Sequence, residues 1–167
     1  MPITELRTMS INNKTKVVRY AFSGHESFPC KTLWLKKGYD FVVASRMMKG
    51  AHNEEDDKLF RPRKWFVLGL GLVAKILFKR EGNTVWDTLH GFRGMTVEAF
   101  KKCEISDMSP SVDIEMVCRS YKLKLSRIEF PTTEMPRISG ESHFKAFATG
   151  KKLLKYILFE IKRGKVK

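Results

Sequence analysis

The chain has 167 residues, 32 Lys and Arg against 18 Asp and Glu, and a formal charge of +14. Its 43% hydrophobic content suffices for a packed core and excludes a disordered chain, while three cysteines (Cys30, Cys103, Cys118) exclude a disulfide scaffold and show no metal-ligand spacing. So basic a chain attracts polyanions, and nucleic acid, an acidic membrane face and a phosphorylated substrate are the candidate partners.

Residues 1–20 read as a loose arm or an edge strand. Pro29 breaks the stretch from Ala21 to Lys37, which holds Phe22, Phe28, Trp34 and Leu35. Tyr39 to Ser45 is apolar and β-branched and reads as a buried strand. Residues 49–58 form a charged loop, with Glu54, Glu55, Asp56 and Asp57 beside Arg61, Arg63 and Lys64. Pro62 opens a helix over about 63–78, where Trp65, Phe66, Leu68, Leu72, Val73, Ile76 and Leu77 fit one stripe. Gly69 and Gly71 weaken that helix by about 1 kcal/mol each relative to Ala. Its longest uncharged run, Trp65 to Ala74, is ten residues, about half of what a bilayer crossing needs. The first twenty residues lack the apolar core of a signal peptide, so a reducing cytoplasmic setting is expected.

Gly82-Asn83 is a turn, and Gly91 to Met95 a short strand. Thr96 caps a helix over 97–103. Residues 111–123 form another helix, with Val112, Met116, Val117 and Tyr121 inward. Asp113 and Glu115 point in different directions on it, and Glu115 is spaced to pair with Arg119. Leu125 to Phe130 alternates as a strand with Ser126, Arg127 and Glu129 on its polar side. Pro131 and Pro136 bracket an edge segment, and residues 138–144 form a Gly/Ser/His loop. Residues 151–163 form a basic amphipathic helix with Leu153, Leu154, Ile157, Leu158 and Ile161 on one stripe. That pattern suits either a core-packing helix with a solvated basic face or a helix lying on an anionic membrane. Strands alternating with helices imply an α/β class. With only three or four strands, the chain looks like part of a larger α/β domain.

There is no phosphate loop, HExxH, CxxC or nucleophile elbow. His25, His52, His90 and His143 lack ligand spacing, and no metal site is expected in this chain. The arginines carry more information. Arg46 ends a strand, Arg93 sits in another, and Arg137 precedes the loop holding Ser142 and His143, followed by Lys145. Ligands of open α/β sheets gather at strand carboxyl ends, and guanidinium groups suit phosphate. Each arginine alone reads equally well as a surface ion-pair residue; the set favours an anion site.

Five segments in register carry a resemblance: Tyr39 to Gly50, Asn53 to Asp56 with Arg63 to Trp65, Asp87-Thr-Leu-His-Gly-Phe-Arg93, Asp113-Ile-Glu115, and Glu129-Phe-Pro131 with Arg137 and Gly140 to Phe144. Over residues 38–165 the chain resembles glycosyltransferase family 2, in its dolichol-phosphate mannose synthase-like branch. His90 stands where that family usually has Ser, and His143 where Lys is commoner. The resemblance implies a GT-A fold, a Rossmann-like sheet with flanking helices. It also implies sugar transfer from a nucleotide-sugar to a polyprenyl-phosphate or similar acceptor at the membrane surface. Arg46, Arg93 and Arg137 would hold phosphate, Ser142 and His143 would lie in the acceptor-side loop, and Asp87 would shape the acceptor site.

The family's opening segments, its Asp-Asp-Gly-Ser turn and its metal-binding Asp-x-Asp do not occur here. The expectation is therefore a partial GT-A domain, its nucleotide-binding half missing. It would lack a Mg or Mn site of its own, and a second chain could supply the missing half. Phe22 to Lys37 instead resembles the start of domain-of-unknown-function family 4007, found near bacterial DNA-modification and defence genes. This divides the chain into an appendage, 1–37, and a glycosyltransferase-like portion, 38–167. The appendage and the charge support the alternative, a basic nucleic-acid-binding module.

Overall fold

A computed structural model describes residues 7–11, 15–20, 37–52, 56, 61–79, 81–105, 112–133 and 146–164. Five strands and four helices lie among them: β1 (Arg7–Ile11), β2 (Thr15–Tyr20), β3 (Phe41–Ser45), α1 (Pro62–Phe78), β4 (Arg93–Thr96), α2 (Val97–Cys103), α3 (Val112–Lys122), β5 (Arg127–Pro131) and α4 (Ala146–Arg163). The class is α/β. The sheet runs β1-β2-β4-β3-β5, and only β3 and β5 are parallel, with Phe41 opposite Arg127 and Ser45 opposite Pro131. This mixed sheet is compatible with a partial Rossmann-like arrangement. It has more strands than the three or four expected, because the N-terminal arm forms two: β1 at the edge and β2 against β4.

β3 is the centre of the fold. All five of its residues are buried, as an uninterrupted apolar β-branched run requires. Its alternation splits the core. Phe41 and Val43 join Met95 and residues of all four helices in the main cluster. Val42 and Ala44 pack with Phe130 in a second, smaller one. α3 buries the four positions read as inward, Val112, Met116, Val117 and Tyr121. Thr96 accepts the Ala99 amide at 3.2 Å, so the cap on α2 is as the sequence reads.

α1 buries a face other than the stripe that its spacing marks out. Val67, Leu70, Gly71, Ala74 and Phe78 are buried. Trp65, Leu72, Val73, Ile76 and Leu77, from the more conspicuous stripe, are exposed. Gly71 explains part of the choice. A Cβ there would stand 2.9 Å from the Trp86 carbonyl oxygen, so only glycine lets segment 85–87 lie against the helix. Gly69 faces open space, with nothing within 4 Å of a built Cβ.

α4 also divides its apolar stripe. Leu153 and Ile157 are buried, whereas Leu154, Leu158, Phe159 and Ile161 are exposed. A charged knot sets this rotation. The fully buried Glu160 carboxylate accepts from Tyr156 Oη at 2.7 Å, Arg119 Nη2 at 3.1 Å and Lys122 Nζ at 2.7 Å. Arg119 also pairs with Glu115 at 2.6 Å and donates to the Cys103 carbonyl at 2.6 Å. Burial pushes the Glu160 carboxyl up, but Lys122, Tyr156 and Arg119 outweigh it and hold the group below its ordinary range.

The two glycines of α1 should separate in a denaturant titration. Gly69→Ala should stabilise by up to about 1 kcal/mol, through helix propensity. Gly71→Ala should destabilise by about 1–3 kcal/mol, because a backbone oxygen must move.

Candidate functional site

The carboxyl ends of β3 and β5, the parallel pair, lie side by side, and segment 83–92 folds over them. Asp87 makes the tie. Its Oδ2 accepts both the backbone N–H and Nε of Arg46, each at 2.9 Å, and its Oδ1 accepts Nη2 at 3.0 Å. Both side chains are buried. Burial works to raise the Asp87 pKa, and the Arg46 guanidinium and amide overcome it, so the carboxylate titrates below its ordinary range.

Glu129 of β5 completes the anchorage. Its Oε1 accepts the backbone N–H groups of Trp86 and Asp87, each at 2.9 Å. Burial raises its pKa against those donors and the Ser45 hydroxyl. The strand alternation had put Arg127 and Glu129 on the polar side of β5, yet both are buried. Arg127 is surrounded by carbonyls, those of Ser120 and Leu125 at 2.6 Å each.

Farther along the segment, His90 Nδ1 lies 2.5 Å from the Ala44 carbonyl oxygen. That oxygen can only accept, so Nδ1 carries the proton of a neutral ring. Burial is the largest influence on His90 and lowers its pKa to about 4; Asp87 opposes this, while Arg46 and Arg93 add to it. Arg93 is fully buried. It donates Nε and Nη2 to the His90 carbonyl at 3.0 and 2.7 Å, Nη2 to the Thr88 carbonyl at 3.3 Å, and Nη1 to the Asp113 carbonyl at 2.7 Å. Its Nε is 3.3 Å from Asp113 Oδ1. Thr88 is fully buried, and its Oγ1 is the one buried side-chain oxygen among the described residues without a hydrogen-bond partner.

Three of the expected site residues, Arg46, Asp87 and Arg93, thus meet in one cluster with His90, Asp113 and Glu129. The Nε, Nη1 and Nη2 donors of Arg93 and the Nε–Nη2 edge of Arg46 are turned toward protein acceptors, so in this arrangement both arginines brace segment 83–92. Arg137, Ser142 and His143 lie outside the described residues. The spacing of the residues gave no hint of Asp113 as the partner of Arg93. Glu129 could have been found only through the Glu-Phe-Pro segment, since alternation pointed it to solvent.

The Mg or Mn that the family resemblance implies does not fit these residues. Asp87 is spent on Arg46, Asp113 faces Arg93, and Glu129 holds two amides. No group of three or more His, Cys, Asp or Glu among the described residues is placed to hold a metal ion. No described helix is long and apolar enough to cross a membrane. No protein-family model matches the chain, and no curated protein matches it.

Two measurements probe the cluster. Thr88→Val removes an unsatisfied buried hydroxyl at nearly constant shape, and should raise stability by up to about 1–2 kcal/mol in denaturant titration. His90 stays neutral in the folded chain down to about pH 4, whereas the unfolded chain protonates it near 6.5. Its contribution is therefore complete above pH 6.5 and declines as pH falls toward 4. The total is on the order of 3 kcal/mol. Glu129 and Asp113, both raised by burial, oppose that slope in both proteins. The difference between wild type and His90→Gln, titrated from pH 7 to 4, isolates the histidine.

Proposed function

We propose that residues 38–167 are the acceptor-side portion of a GT-A-type sugar-transferring domain, working peripherally on the cytoplasmic face of an anionic membrane. Its acceptor would be a polyprenyl phosphate or a similar lipid phosphate. One observation carries this reading. Three segments of the family resemblance, one containing Arg46, one spanning Asp87–Arg93 and one beginning at Glu129, are hydrogen-bonded into one cluster. They are more than forty residues apart in the first two pairings, 41 for Arg46–Asp87 and 42 for Asp87–Glu129, and they meet at the strand ends where α/β sheets bind ligands.

In this proposal Asp87 fixes Arg46 at the rim of the acceptor site. Arg93 braces the segment from below. Arg137, Ser142 and His143 remain the groups assigned to the acceptor phosphate. The donor nucleotide and its metal would come with a second chain, and no step is assigned to them here.

The outward face of α4 supports the membrane part. Leu158 is 60% exposed and Leu154, Phe159 and Ile161 are about half exposed, among the exposed Lys151, Lys152, Lys155 and Lys162. A solvated basic face would account for the lysines but not for four large apolar side chains in water. Apolar residues entering the headgroup region, with lysines meeting anionic lipid, account for both. A nucleic-acid module would also use the lysines and would leave the apolar residues unexplained.

The full chain, titrated calorimetrically with vesicles, tests the proposal. Anionic vesicles should bind it, neutral ones should not, and affinity should fall roughly tenfold or more as salt rises from about 0.05 to 0.5 M. Polyprenyl phosphate should bind more tightly than phosphatidylglycerol at matched surface charge. Equal affinity would refute the lipid-phosphate acceptor. No vesicle binding, with tight salt-sensitive DNA binding, would replace the proposal with the nucleic-acid module.

A further inference from the structure

We propose that α1 is a second membrane-contacting helix, lying in the headgroup layer of an anionic bilayer beside α4. The inference rests on the membrane reading above and extends it to an element that composition did not single out as a surface.

A helix on the surface of a water-soluble domain ordinarily turns charged residues outward. α1 does not. Its exposed positions are Pro62, Trp65, Gly69, Leu72, Val73, Ile76 and Leu77, and none of them is polar. Ile76 is 66% exposed and Trp65 55%. The opposite face, Leu70, Ala74 and Phe78, is already buried in the main cluster.

α4 lies in the same layer. Its Leu153, Tyr156 and Ile157 enter that same cluster, and Gly150 approaches Phe66 of α1 closely enough that a Cβ would stand 3.3 Å from its ring. Two neighbouring helices with inward faces in one core turn their other faces away from the sheet on the same side. The apolar residues of α1 and those of α4 then meet one planar partner together.

Charge chooses that partner. No acidic residue occurs from Pro62 to Phe78, while Arg63 and Lys64 lie in the first turn and Lys75 and Lys79 at the end. Of the described acids flanking the helix, Asp56 is paired with Arg61 and Lys64, and Glu81 with Lys124. Against a second copy of the chain, cations would face cations at both helix ends in either orientation. Against anionic lipid the same cations are favourable, and an indole at one end of the stripe suits the interfacial region.

The test uses the full chain and vesicles of phosphatidylcholine with phosphatidylglycerol. Tryptophan emission of wild type should shift blue on binding and be quenched by brominated acyl chains, and Trp65→Phe should lose most of that quenching. Leu72→Ser with Ile76→Ser should weaken binding about tenfold or more. Its urea midpoint should stay close to that of wild type, since both side chains are already half in water. If wild type binds but Trp65 is not quenched and the double variant binds equally, α1 is not in the membrane; the membrane reading then stands on α4 alone. If wild type binds no anionic vesicle, both readings fail. If wild type sediments as a dimer and the double variant as a monomer, the face belongs to a second copy and the inference is overturned.

Discussion

The Arg46–Asp87 pair is the constraint on which the cluster depends. A strand that ends at Ser45 leaves the next amide without a ladder partner, and burial makes that costly. Asp87 supplies the acceptor for the Arg46 amide and, with the same carboxylate, for its guanidinium. One side chain thereby solves a backbone problem and a charge problem together. A buried ion pair need not add net stability, since desolvation of both partners offsets much of the attraction. What it does here is select: only one placement of segment 83–92 satisfies both the Arg46 donors and the two amides that Glu129 accepts. The rest of the segment, including the neutral His90 against the Ala44 carbonyl, inherits its position from that tie.

The Glu160 knot does the corresponding work for the helix layer. A stripe of Leu153, Leu154, Ile157, Leu158 and Ile161 could bury along either edge on hydrophobicity alone. Glu160 between Arg119, Lys122 and Tyr156 fixes the edge, because rotating α4 would carry the carboxylate away from Arg119 and Lys122. The exposed leucines are therefore held outward by an electrostatic device on the opposite side of the helix. A surface presented this way needs no folding step to meet a partner.

Where the sequence was legible, one local signal dominated. The β-branched run at 41–45, the Thr96 cap and the helical spacing of Val112, Met116, Val117 and Tyr121 each reflect physics confined to a few neighbouring residues. The failures share another cause. In α1 the bulkier residues marked out one stripe, but Gly71 had to face Trp86, and no count of apolar residues reveals a contact fifteen positions away in sequence. In β5 the polar look of Arg127 and Glu129 hid partners supplied by segments 81–87 and 120–125. Glu160 is the one acid between Lys151 and Lys167, and its solitude among cations was the available signal. Of the site, Arg46 and Arg93 were named from their places in strands, and Asp87 on family resemblance. Their mutual cluster, and the engagement of both arginines by protein groups, required the tertiary fold.

The same contact that turned α1 around joins the two halves of the functional reading. Gly71 lies directly under the Trp86 carbonyl, and Lys75 of the same helix stands 5.0 Å from the Trp86 ring centroid. Trp86 precedes Asp87, and its amide is one of the two held by Glu129. In the proposed arrangement, α1 would meet lipid with its outer face while its inner face touches the residue beside Asp87, and so would set the depth of segment 83–92 relative to the bilayer. A lipid phosphate sits at the headgroup level and cannot be carried far from it without exposing its chains to water, at about 0.8 kcal/mol per CH₂. The acceptor site must therefore come to the phosphate. On the proposed reading, one layer that carries both the membrane face and the backing of segment 83–92 would achieve this without a moving part.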